Sequence, residues 1–166
     1  MSCCGTNFRD TSHDFVDGTH DLVGAFFAFA REPDLGGHTM TIKRINAEDG
    51  APAFGAYVQA LEVTNTTRRV YVSGQAPVTP DGELPDTFKG QAEAVWYNIL
   101  AQLRAADMGP ENIVKATTFL VDRKYRDENR DVRMAMLGGH TFALTVVLAG
   151  MFEEGWLLEI EAIAEK

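Results

Sequence analysis

Residues 69–77 read Arg69-Val70-Tyr71-Val72-Ser73-Gly74-Gln75-Ala76-Pro77. Val70, Val72 and Gly74 alternate with Tyr71 and Ser73, which is the two-residue period of a strand over Arg69–Gln75 and places Tyr71 and Ser73 on one face. Pro80-Asp81-Gly82 follows within the segment 77–85, and its proline and glycine suit a surface turn. The period then changes. Ala92, Val95, Ile99, Leu103 and Ala106 form one apolar stripe at helical spacing, Thr87 or Asp86 stands where a cap is needed, and Gly109-Pro110 closes the segment. This predicts a helix running through Asp107.

The same reading extends in both directions. Downstream, Ile113–Val121 reads as a buried strand and Tyr125–Leu137 as a second, charged helix ended by Gly138-Gly139. Phe142–Ala149 and Leu157–Ala164 are two further strands, separated by a Gly150–Gly155 connection. Upstream, Thr41–Ile45 and Tyr57–Val63 are strands joined by a loop over 46–55, and Asn65-Thr66-Thr67 predicts a hairpin from the second strand into the third. The order strand, strand, strand, helix, strand, helix, strand, strand implies an α+β mixed sheet with both helices on one face. Val146, Leu148, Leu158 and Ile160 are read as too apolar for the bare face to meet water, which points to a homo-oligomer.

Residues 1–40 differ in texture. Aspartates alternate with Gly and His, and Leu22–Ala30 is the only compact apolar run. They are read as an N-terminal extension to a domain spanning 41–166, with Phe26, Phe27 or Phe29 as candidates to wall a cleft.

Composition excludes several functions. With 24 acidic against 15 basic residues, a net charge of −9 and no Lys/Arg run, a nucleic-acid partner is not expected. No apolar stretch approaches the ~20 residues of a membrane span, so no membrane partner is expected either. The two cysteines, Cys3 and Cys4, are adjacent and could close no useful loop, which fits a reduced, cytoplasmic setting. His13, His20, His38 and His140 match no closed metal site, and none is expected.

Three segments carry a family resemblance: Gly55-Ala56-Tyr57-Val58-Gln59-Ala60, Val72-Ser73-Gly74-Gln75-Ala76-Pro77, and Glu159-Ile160-Glu161-Ala162-Ile163-Ala164. Pro80-Asp81-Gly82-Glu83 and Val114–Leu120 fall between them in the same order. Together they resemble the RidA/YjgF family from Thr41 to Lys166, with Met40 near where ordinary members begin. The resemblance implies a chorismate-mutase-like fold, a homotrimer with inward-facing sheets, and clefts each built from two subunits. It also implies hydrolysis of reactive imines and enamines to keto acids and ammonia, with no cofactor.

By the same resemblance, Tyr57, Ser73 and Glu159 are the candidate catalytic residues, and Gly74, Phe142, Ala143, Leu144 and Thr145 the candidate substrate-binding ones. Glu159 would activate a water for attack on the C=N carbon. The family holds the substrate carboxylate with an arginine four residues after the position of His140, where a planar fork gives two charge-assisted hydrogen bonds. Here that position is Leu144, and counting back from Glu159 gives the same register. Leucine donates no hydrogen bond, so the cleft is expected to be more apolar and to disfavour a free carboxylate at that spot.

Each residue also has a plainer role available. Glu159 suits a structural ion pair, Ser73 a bond to nearby backbone, and Tyr57 and Leu144 simple packing. Arg126, Arg130 and Arg133 are read as solvated ion-pair partners of Asp127, Glu128 and Asp131. A Rid-family hydrolase ranks first, a non-catalytic small-molecule-binding or regulatory trimer second, and an endoribonuclease third for want of a basic groove.

Overall fold

The computed structural model describes residues 39–166, apart from residues 52 and 54. The expectations for residues 1–38, including His13, His20, His38 and the phenylalanines of the extension, lie outside the described residues. Element order follows from the local patterns: β1 (Thr41–Ile45), β2 (Ala60–Thr64), β3 (Arg69–Gln75), α1 (Phe88–Ala105), β4 (Ile113–Leu120), α2 (Arg126–Met136), β5 (Ala143–Leu148) and β6 (Leu158–Glu165).

Helix α1 forms where the apolar stripe predicts it. The Thr87 hydroxyl accepts from the Gly90 N–H at 3.1 Å, satisfying one of the otherwise unpaired first-turn donors. Ala92, Val95, Ile99 and Leu103 are completely buried. The helix stops at Ala105, two residues short of the expected end, because Asp107 turns into the left-handed region at φ 55°. Helix α2 ends on Gly138 and Gly139, both at positive φ, where glycine carries no Cβ penalty. Tyr125 precedes α2 in a short 3₁₀ turn and stacks on Phe88 with centroids 4.3 Å apart.

The main sheet has the order β3-β6-β4-β5, with β6 antiparallel to both β3 and β4 and with β4 parallel to β5. Strands β1 and β2 pair separately and antiparallel, from Thr41 opposite Thr64 to Ile45 opposite Ala60. The predicted hairpin between β2 and β3 therefore does not form. Asn65 does adopt a turn conformation at φ 59°, but the chain leaves it onto the end of β6. The N–H groups of Thr67 and Arg68 both donate to the Lys166 carbonyl, at 2.8 and 3.0 Å. That backbone satisfaction displaces pairing with β2.

Helix α1 packs on β3, β6 and α2, so both helices cover one face of the sheet. Leu158, Ile160, Ala162 and Ala164 of β6 point into this core with Trp96, Ile99 and Leu103. This corrects the sequence reading, which placed Leu158 and Ile160 on the bare face. The strand period was right and its phase was not. The open face instead presents Tyr71, Phe119, Val147 and Ile163 among Ser73, Lys115, Thr117, Glu159 and Glu161, a surface of mixed polar and apolar character. Val146 and Leu148 lie on the helix side of the edge strand β5, yet remain 44% and 49% exposed.

Buried polar groups are mostly satisfied. Gln91, on α1, donates to the carbonyls of Pro85 (3.0 Å) and Gly155 (2.9 Å) and accepts from the Leu157 N–H (2.8 Å). It thereby ties the connection before β6 to the helix layer.

Candidate functional site

The open face holds the first group of predicted residues. Between Val72 and Gln75 the pairing of β3 with β6 shifts register, so the chain bulges at Ser73 and Gly74. A Cβ built on Gly74 would fall on the Glu159 carboxylate, with Cδ only 2.8 Å away. Only a residue without a side chain lets Glu159 lie against the backbone here. Glu159 is half-buried and makes no hydrogen bond or ion pair among the described residues. Its plainer role, a structural ion pair, is thus absent within the described chain. Gly74→Ala is expected to rotate the carboxylate away while changing stability by no more than ~1 kcal/mol, which a thermal melt checks.

Thr145 shares this face and its hydroxyl accepts from Lys115 Nζ. Ala143, opposite Lys115, is half-buried beside it and bridges to Val58. Phe142 does not line an open surface. It is 2% exposed, packed between Trp96 and His140 with centroids 6.4 and 5.8 Å away, because the residue before β5 faces the core.

Tyr57 and Leu144 lie on the opposite side of the sheet, around a cavity of about 870 Å³ between β5 and α2. Residues Leu120, Leu144 and Val146 give it an apolar wall. Facing them across it, α2 contributes Arg126, Asn129 and Arg133, which its periodicity places on one face at positions i, i+3 and i+7. The sequence reading treated these arginines as solvated ion-pair partners. That holds for Arg130, which pairs with Asp127 and Asp131 at 3.0 Å each. It does not hold for Arg133.

Arg133 is 3% exposed and donates to the Ala56 carbonyl at 3.0 Å, with no carboxylate within ion-pair distance among the described residues. Burial, and then the like charge of Arg130, hold its guanidinium pKa below the ordinary arginine value. Asn129 is equally buried and its Oδ1 has no hydrogen-bond partner among the described residues. The signal was present as a helical repeat of Arg126, Asn129 and Arg133. The intervening Asp127, Glu128 and Asp131 hid it, since they make surface pairing the simplest reading.

Within one chain the predicted residues therefore form two groups separated by the sheet: Ser73, Gly74 and Glu159 on the open face, Tyr57 and Leu144 at the cavity. Among the described residues no group of His, Cys, Asp and Glu could hold a metal ion, and no helix is long and apolar enough to cross a membrane.

Comparison with known proteins agrees with the fold. Residues 48–166 match the family model described as Endoribonuclease L-PSP. The chain is 32% identical over 125 residues to the mitochondrial Protein MMF1 of Saccharomyces cerevisiae, covering 75% of this chain and 84% of that protein. The solved structure of yeast Mmf1 superposes with a TM-score of 0.56 over 76% of this chain and 99% of the other, at 31% identity. The Escherichia coli 2-iminobutanoate/2-iminopropanoate deaminase is 37% identical over 81 residues, 48% of this chain and 61% of that enzyme. Escherichia coli TdcF, solved with bound serine, has a TM-score of 0.56 at 29% identity, over 75% of this chain and 98% of its own.

Proposed function

Because this chain belongs to the RidA/YjgF family, whose model is described as Endoribonuclease L-PSP, we propose that it hydrolyses the C=N bond of an imine, or of the enamine that tautomerises to it. The observation that carries this reading is Glu159, a half-buried carboxylate lying against Gly74 on the open sheet face and without an ion-pair partner among the described residues. A carboxylate so placed takes a proton from water as the water oxygen bonds to the C=N carbon. The C=N π pair moves to nitrogen, which takes up the proton held by the carboxylate, giving a neutral carbinolamine. Protonation of that nitrogen and loss of the hydroxyl proton then form the C=O bond and break C–N, releasing ammonia. Ser73 would position the water and Tyr57 would close the mouth of the cleft.

Tyr57 and Leu144 are on the other side of the sheet from Glu159, so one copy does not assemble the whole set. A second copy that sets its β5 edge against the open face would do so, which supports a homotrimer with sites shared between subunits. The exposed Val146, Val147 and Leu148 of β5 give such a contact apolar surface. The name of the Escherichia coli relative, a 2-iminobutanoate/2-iminopropanoate deaminase, supports the bond type. Leu144 argues against the same small substrates, because it supplies no donor for a carboxylate at that position. It equally favours a non-catalytic binding trimer as the second reading. The net charge of −9 weighs against a nucleic-acid substrate. The cytoplasm is the proposed compartment, because the adjacent Cys3 and Cys4 could close no useful loop in an oxidising one, although one relative is mitochondrial.

An amino-acid oxidase supplies imines in situ, and their decay can be followed by absorbance with and without the purified protein. Acceleration is expected with the imines of leucine and phenylalanine. No acceleration with any amino acid tested would leave the binding trimer.

A further inference from the structure

We infer that Arg133 is a positioning residue: from its buried place on α2 it holds the Ala56 carbonyl, and so fixes Tyr57 in the cavity wall as the surface that selects a bulky apolar group on the substrate. The geometric part of this inference stands on the fold alone, while its kinetic consequence rests on the proposed hydrolysis.

Residues 55–58, which carry Tyr57, lie between β1 and β2 and belong to neither. Their C-terminal end is docked. Val58 is buried, bridges to Ala143 of β5 and donates its N–H to the Phe142 carbonyl at 3.4 Å. The other end has less to hold it. Gly55 stands at φ 102°, where side chains are disfavoured, and a Cβ built on it would meet nothing within 4 Å. The Tyr57 N–H turns back to the Gly55 carbonyl at 3.0 Å, a bond internal to the segment. From α2, Arg133 donates to the Ala56 carbonyl at 3.0 Å, and that carbonyl accepts no backbone N–H among the described residues. The peptide joining Ala56 to Tyr57 thus takes its orientation from one guanidinium.

Satisfying one carbonyl does not by itself call for a cation. A guanidinium this deeply buried, with no carboxylate within ion-pair distance among the described residues, costs more to desolvate than one hydrogen bond to a neutral carbonyl returns. What arginine adds is reach and a rigid planar end, which together brace a backbone that no side chain packs beneath at Gly55. The ring so fixed shares its cavity with the hydrocarbon of Leu120, Leu144 and Val146. Together they form a surface suited to an alkyl or aromatic side chain and poorly used by a methyl group.

The test compares two imines, of phenylalanine and of alanine, generated by an amino-acid oxidase in the presence of the full-length protein. Arg133→Met is expected to lower the preference for phenylalanine imine, as the ratio of the two kcat/KM values, by about 10-fold, with the change residing in KM. Arg133→Lys keeps a donor of similar reach and should recover most of that preference. Gly55→Ala moves the same segment by backbone strain with α2 intact, so it should reproduce the loss even if Arg133→Met does not fold. In a Tyr57→Ala background Arg133→Met should add less than ~2-fold, since both act through one ring. An equal loss with both imines, a fall confined to kcat, no recovery with lysine, or additive effects would overturn the proposal. Fluorotyrosine labelling gives a readout independent of turnover. The fluorine resonance of Tyr57, assigned with Tyr57→Phe, should shift in Arg133→Met and in Gly55→Ala and return in Arg133→Lys, while those of Tyr71 and Tyr97 stay in place. That shift in a protein without imine turnover would refute the hydrolase reading and keep Arg133 as the anchor of Tyr57. Turnover with an unmoved Tyr57 resonance would refute the anchor alone.

Discussion

Glu159→Gln is expected to lower the rate of imine hydrolysis by about 10³-fold, within the usual worth of a positioned general base. Glutamine keeps the shape of the side chain but accepts no proton from water. Because Glu159 has no hydrogen bond or ion pair among the described residues, the substitution breaks no structural contact there, and the thermal midpoint should move by no more than roughly 2 °C. Stopped-flow decay of the imine measures the first quantity and a calorimetric scan the second. A variant that turns over within a few-fold of the parent rate would remove Glu159 from the chemistry. A large fall in both rate and stability would return it to a structural role.

Leu144→Arg should produce the converse, a gain. Restoring a guanidinium on β5 is expected to raise hydrolysis of the small imine of alanine by about 10²-fold, the effect of a desolvated bidentate pair with the substrate carboxylate. The structure adds a condition to this expectation. Leu144 shares its cavity with Arg133, whose guanidinium already suffers from burial and from Arg130. A second cation in that low-dielectric space is repelled, so the single variant should also lose stability. Adding Arg133→Met relieves the repulsion and should both restore the melting temperature and enlarge the gain for alanine imine. Oxidase-coupled kinetics on the two variants decide the matter. If neither accelerates the small substrate, position 144 does not control access of a carboxylate to the reacting carbon.

Position 144 also shows the limit of a one-residue comparison. Taken alone, leucine for arginine reads as the loss of anion binding, yet the wall opposite Leu144 carries Arg126, Asn129 and Arg133. Their spacing along α2 is visible in the sequence. Their direction is not, because a helix face acquires meaning only from what packs against it. Arg130 and Arg133 have the same residue type three positions apart, but one pairs with Asp127 and Asp131 in solvent while the other is sealed beneath the segment containing Ala56.

The amino-acid order by itself determined the family, the positions of both helices, and the strands over Thr41–Ile45 and Arg69–Gln75 to the residue. These depend on backbone dihedrals and side-chain period, which neighbours along the chain dictate. Tertiary structure alone decided that β2 pairs with β1 and not β3, that Leu158 and Ile160 point into the helix layer, and that Glu159 and Leu144 stand on opposite sides of one sheet. Pairing partner and strand phase are set by which backbone groups and apolar faces meet across long sequence separations, as when Thr67 and Arg68 bond to Lys166. No local period encodes that meeting.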